Sequence, residues 1–122
     1  MRIEDVLAEV DETKPSQYDD SLKIQWISRL EGKIYQDVYL THESDREWEF
    51  SGYTQDDMCA ELFVDDTYAD LYKYYLFAMI DFHNQEIDRY NNAMIMFNAS
   101  LDDFKAYYNR THMPKSKPYR IL

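Results

Sequence analysis

The stretch IDRYNNAMIMFNASLDDFKAYY, residues 87–108, decides how this chain folds. Its large apolar residues, Ile87, Tyr90, Met94, Phe97, Leu101, Phe104 and Tyr108, recur at alternating steps of three and four. That spacing lines one face of a single helix, a seam built to bury against other helices. Working outward, the whole span from Gly52 to Pro114 contains no further glycine or proline. A second helix therefore precedes the first. It starts near Asp66 or Thr67 with a possible Thr67-x-x-Asp70 capping box, and it buries Tyr68, Leu71, Tyr72, Tyr75, Leu76, Met79 and Phe82. One unbroken helix from 67 to 111 would be far longer than globular helices usually run, so a turn is expected. Asn84-Gln85 is the preferred place, giving an antiparallel hairpin, and Asn91-Asn92 is the alternative. Ala93 to Phe97 is apolar all round the helix, so its outer side is expected to meet another element or another subunit.

Earlier in the chain, residues 2–12 set Ile3, Val6, Leu7 and Val10 on one side of a short helix, which Lys14-Pro15-Ser16 breaks. Asp19 or Asp20 caps the next helix. Its ladder is Leu22, Trp26, Leu30, Ile34 and Val38, flanked by Ile27 and Tyr35. Gly32 inside it costs roughly 1 kcal/mol relative to Ala, which close approach of a neighbouring helix would explain. From about 43 to 66 the helical period fails and carboxylates crowd around Trp48, Phe50 and Tyr53. A loop of this length in a small domain is unusual: it is either functional or mobile, or a solvated connection whose aromatics fold back on the bundle. Glu47–Phe50 and Glu61–Val64 are candidate short extended pieces. The expected architecture is all-α: a small bundle of about four helices, with a long acidic loop between the second and third. Residues 1–111 form the helical domain and 112–122 a basic tail.

Length and composition agree with one domain. The chain has 122 residues, 45% of them hydrophobic and 16% aromatic, enough to build a core. Twelve tyrosines against two glycines suit helices with half-wet, half-packed faces, and Tyr orders cheaply against a partner. Net charge is −11, which argues against phosphate-neutralising nucleic-acid binding and against docking on an anionic membrane. The charge is uneven. Residues 1–104 hold all 24 acids and eight of the 13 basic residues, a balance of −16, whereas 105–122 carry +5. An acidic body with a basic tail suits head-to-tail contact between copies or grip on an acidic neighbour. Lys105 and Arg110 also suit the negative end of the last helix.

Chemistry is hard to find. Di-iron bundles need Glu-x-x-His, and the residues three before His42, His83 and His112 are Tyr39, Ile80 and Asn109. One cysteine, Cys59, rules out a cysteine-rich zinc pattern and an internal disulfide, and its acidic surroundings blunt it as a nucleophile. The acids Asp56, Asp57, Glu61, Asp65 and Asp66 read as a solvated face. His83 beside Asp81 and Glu86 reads as a helix-end histidine with a local hydrogen bond. No glycine-rich phosphate loop is present. The expectation is therefore no enzyme, no catalytic, cofactor-binding or metal residues, and no cofactor. The longest uncharged run, Tyr74–Ile80, is too short to cross a bilayer, and the first residues do not form a signal peptide.

The order Leu76-x-Ala78-Met79-Ile80-Asp81-Phe82-x-Asn84-x-Glu86-x-x-Arg89-Tyr90-Asn91-Asn92, then Phe97-Asn98, Phe104, Tyr108 and Arg110-Thr111-His112-Met113-Pro114, carries a resemblance. Together with Val6-Leu7 to Asp11, Lys14-Pro15 and Ile24-x-Trp26-Ile27-x-x-Leu30-Glu31-Gly32, it resembles the small head-to-tail connector (adaptor or head-completion) proteins of long-tailed phages and prophages. The resemblance spans most of the chain except the acidic loop. It implies a helical protomer that forms a ring of copies beneath the portal and presents a surface to tail-side completion proteins. It also implies location in the virion, and in the host cytoplasm during assembly, with no sequence-specific nucleic acid or membrane as partner. One departure stands out: where members of that family carry Gly, this chain has Gln85. The interface candidates are Lys115, Lys117, Tyr119, Arg120, Ile121 and Leu122 in the tail, Trp48 and Phe50 in the loop, and Ile95 and Met96 on the last helix. The second reading is an acidic DNA mimic or regulatory protein that inhibits a DNA-handling enzyme. A metal-storing or enzyme-accessory bundle is the third.

Overall fold

The computed structural model describes residues 1–115 and is all-helical: α1 (Ile3–Thr13), α2 (Asp20–Ile34), α3 (Asp70–His83) and α4 (Ile87–Thr111). Among the described residues the only strand-like pairings are two isolated bridges, Arg2 with Glu61 and His42 with Pro114. α1 buries Ile3, Val6, Leu7 and Val10, the face its spacing predicts. Its first free N–H groups are satisfied from the acidic loop, with Ile3 donating to the Ala60 carbonyl at 3.1 Å and Glu4 to that of Met58 at 2.9 Å. α2 begins at Asp19, whose carboxylate accepts from the Leu22 N–H at 3.0 Å.

Trp26, Leu30, Ile34 and Val38 of the expected ladder are buried, while Leu22 is only half-buried. The α-helical hydrogen bonding stops at Ile34 and widens into a π turn over Tyr35–Tyr39, where the Leu40 N–H reaches back five residues to the Tyr35 carbonyl at 3.0 Å. This turn keeps both Val38 and Tyr39 inside the core. Gly32 does not admit a neighbouring helix. A Cβ there would sit 3.6 Å from the Phe50 ring, an ordinary contact with a loop aromatic.

Residues 43–66 form neither of the two extended pieces expected at 47–50 and 61–64. Within that span Glu61 alone makes a bridge, and short 3-10 turns form at Gln55–Asp57 and Asp66–Tyr68. The second turn runs directly into α3. Tyr68 and Ala69 donate back to the Asp65 and Asp66 carbonyls, so the expected Thr67–Asp70 capping box is absent. Leu71, Tyr72 and Leu76 are buried as expected, and Ala78 and Ile80 join them. Phe82 does not: it is 51% exposed.

α3 and α4 form the antiparallel hairpin, and the turn lies at Asn84-Gln85, since Asn91 and Asn92 are inside α4. Ring contacts fix the register: Phe82 meets Tyr90 at 5.4 Å, Tyr75 meets Phe97 at 5.2 Å and Tyr68 meets Tyr107 at 4.8 Å. α4 outruns α3 by 25 residues to 14. Its second half lies against the Asp66–Tyr68 turn and the Tyr35–Tyr39 turn, and Phe104 and Tyr108 are buried. Its first half packs on α3, and across a groove from Met94 and Phe97 stand Leu30 and Ile34 of α2. In the stripe predicted at 87–108, Phe97, Phe104 and Tyr108 are buried, Tyr90, Met94 and Leu101 are half-buried, and Ile87 is 56% exposed.

Gln85 holds φ at +61°, in the left-handed region where a Cβ crowds the backbone at a cost of about 1–2 kcal/mol. The departure from glycine thus falls on the one position of the hairpin that most favours glycine. Gln85→Gly should raise stability by about 0.5–1 kcal/mol, the strain relieved less the extra chain entropy of glycine. Urea unfolding of the two proteins measures this, and a less stable glycine variant would mean the turn is not under strain.

Candidate interaction surface

Three charged side chains, Glu31, Lys23 and Asp81, are buried. Glu31 sits on the inward stripe of α2 with no solvent exposure. Its Oε2 accepts from the Tyr53 hydroxyl at 2.8 Å and the Phe63 N–H at 2.9 Å, and its Oε1 from the Tyr72 hydroxyl at 2.5 Å. The Tyr72 oxygen in turn accepts from the Val64 N–H at 3.2 Å. One carboxylate thus ties α2 to α3 and to two separate points of the acidic loop. Burial pushes the Glu31 carboxyl above its ordinary value even though all three donors pull the other way. Burial first, and then the nearby Glu31 charge, hold the Tyr53 and Tyr72 hydroxyls protonated.

Lys23 is buried on α2 and reaches Asp11 of α1 at 2.5 Å, while buried Asp81 of α3 takes the Lys14 ammonium on both oxygens at 2.6 Å. These pairs hold α1 to its neighbours. For Lys23 and Glu31 position is the signal that would have found them: Lys23, Ile27, Leu30, Glu31 and Ile34 share one helical stripe.

His83, Asp81 and Glu86 are not brought together as a working cluster. Asp81 is engaged by Lys14, and His83 donates from Nδ1 to the Met79 carbonyl at 2.9 Å with its ring 5.0 Å from Trp26. Cys59 is exposed, with its sulfur 3.7 Å from a Glu4 oxygen. Among the described residues no three His, Cys, Asp or Glu side chains converge to hold a metal, and no helix is long and apolar enough to cross a membrane.

The loop aromatics turn inward. Trp48 packs on Tyr39 at 4.3 Å and Phe63 at 5.0 Å, with the Arg46 guanidinium 4.0 Å over its own face. Phe50 meets Tyr53 at 4.9 Å and Phe63 at 5.6 Å. Both interface candidates in the loop are therefore half-buried and already engaged within the chain.

The candidates on α4 are placed differently. Ile95 is 65% exposed and Met96 47%, and Phe82 and Ile87 of the same hairpin are exposed as well. Beside it runs a groove of about 290 Å³ between α2 and α4, lined by Leu30, Ile34, Tyr75, Met94, Phe97 and Leu101. Lys33 and Lys105 also border it, with Asp37 and Asn98. Lys115 is exposed, and its backbone N–H donates to the Thr41 carbonyl at 2.8 Å. Glu43 donates to Met113 at 2.7 Å, so the start of the tail runs along residues 41–43. Lys117, Tyr119, Arg120, Ile121 and Leu122 lie outside the described residues.

A carboxyl whose folded pKa is raised binds its proton more tightly in the folded state, so stability is lost as pH rises from the unfolded value of 4.5 through the folded one. The stability of the natural protein minus that of Glu31→Gln should therefore fall as pH climbs above about 4.5 and then level off. Urea unfolding from pH 4 to 7.5 reads this out, and a difference that stays flat or grows with pH contradicts it. No family model, curated protein or solved structure matches this chain.

Proposed function

We propose that this protein is a head-tail connector of a tailed phage or prophage. In this reading it assembles as a ring beneath the portal and joins the DNA-filled head to the tail. The observation that carries the reading is the set of exposed apolar side chains on the α3–α4 hairpin. A chain that folds its loop aromatics inward nevertheless leaves Phe82, Ile87, Ile95 and Met96 in water. Large apolar side chains left exposed on one hairpin mark a surface meant for contact. The order of residues from Leu76 to Pro114, which resembles the connector family, falls on that same hairpin.

Electrostatics suit the role. A ring interface is heterologous and closed, so each copy needs two different complementary faces. A channel lined with carboxylates repels phosphate, letting DNA pass without adhering. The protein needs no catalytic residue or cofactor for this work; its partners are further copies of itself, the portal and the tail-side completion proteins.

The acidic-mimic reading keeps one observation of its own: Glu43, Asp45, Glu47, Glu49, Asp56, Glu61, Asp65 and Asp66 are all exposed. Native mass spectrometry and electron microscopy of the protein mixed with tail-less capsids or isolated portal separate the two. Rings on the portal are the expected result. A strict monomer that ignores the portal and instead binds a DNA-handling enzyme in a salt-sensitive way would replace the connector reading with the mimic.

A further inference from the structure

We propose that the groove between α2 and α4 receives the outer ridge of α4 from a second copy of the chain. This rests on the self-association in the connector reading and adds which two faces meet. The groove floor is apolar, and its borders carry two lysines, Lys33 and Lys105, in a protein whose net charge is −11. Among the described residues neither lysine forms an ion pair. Asp37 is the single acid lining the groove.

The ridge has the opposite character. Ile95 stands out from α4, and Asp88 and Asp102 lie seven residues to either side, two helical turns or about 10 Å away along the same line. Both acids are exposed and unpaired among the described residues. An apolar knob between two carboxylates thus has its complement in an apolar slot bordered by two lysines. An acidic ridge would be repelled from most of this protein's surface, so the lysines also fix where it docks.

Ridge and groove are different faces of α4. At about 100° per residue, the groove-lining Met94, Phe97, Asn98, Leu101 and Lys105 lie to one side of Ile95 and centre roughly a quarter-turn away. The pairing thus joins two different patches, and in the ring of the connector reading it runs in one direction from copy to copy until it closes.

The test uses one variant for each face: Ile95→Asp for the ridge, and Lys33→Glu with Lys105→Glu for the groove. Full-length proteins are compared by native mass spectrometry and electron microscopy, with portal present. Each variant alone should assemble at least tenfold more weakly than the natural protein. Mixed together, they should form one-to-one pairs and nothing longer, because each keeps the face the other lacks. Pair formation also shows that both variants are folded. Adding Asp88→Lys and Asp102→Lys to the groove variant should restore assembly. Rings of normal size from either single-face variant would overturn this inference and leave the connector reading standing. Failure of the natural protein to assemble on the portal would remove both.

Discussion

The buried carboxylate of Glu31 is the constraint on which the rest of the structure depends. A loop with so many acids has little reason to lie on a bundle, and mutual repulsion gives it reason not to. Glu31 offers two oxygens to three donors, of which Tyr53 and the Phe63 N–H belong to the loop and Tyr72 belongs to α3. Hydrogen bonds to a charged group contribute about 1.5–3 kcal/mol each, and an orphaned partner costs more. With those points fixed, Phe63 falls among Tyr35, Tyr39, Trp48 and Phe50, and the loop gains an aromatic underside while its acids stay in water. Its other end caps α1 through the Met58 and Ala60 carbonyls.

The loop, so held, covers the end of α2 and the far half of α4, and nothing comparable covers the near half. Helix α4 outruns α3 by 25 residues to 14, and the surplus lies at its C-terminal end, where Phe104 and Tyr108 are buried. Its first half packs on α3 and faces α2 across the groove, with Ile95 and Met96 on the outside left in water. Lysines border the groove and acids lie on the outer side, so the two faces differ in character.

Much of this was legible in the sequence, and the misses have physical reasons. The helical period from Ile87 to Tyr108 correctly gives a helix and the seam of its second half. It places Ile87 inside because periodicity reports which residues share a face, not whether a neighbour is long enough to reach it. The turn at Asn84-Gln85 is readable from helix length and polar composition, but the left-handed backbone at Gln85 is hidden because glutamine gives no hint of it. Trp48 and Phe50 lie in a loop without period, which leaves outward contact and folding back on the bundle both open; the fold packs them into the aromatic cluster. Glu31, Lys23 and Asp81 are missed because charge is normally the mark of the surface; Glu31 and Lys23 sit in register with the apolar stripe of α2, whereas Asp81 lies off the seam of α3 and is buried because α1 and its Lys14 cover that side. The apolar run from Ala93 to Phe97 is expected to meet another element or another subunit on its outer side; within the chain no element covers Ile95 and Met96.

The central proposal is that the first half of α4 is where copies meet. Hydroxyl-radical footprinting of isolated and portal-assembled protein tests it most directly. Met94 on the groove side and Ile95 and Met96 on the outer side should lose labelling together upon assembly. Equal labelling of all three in the two states would contradict the account.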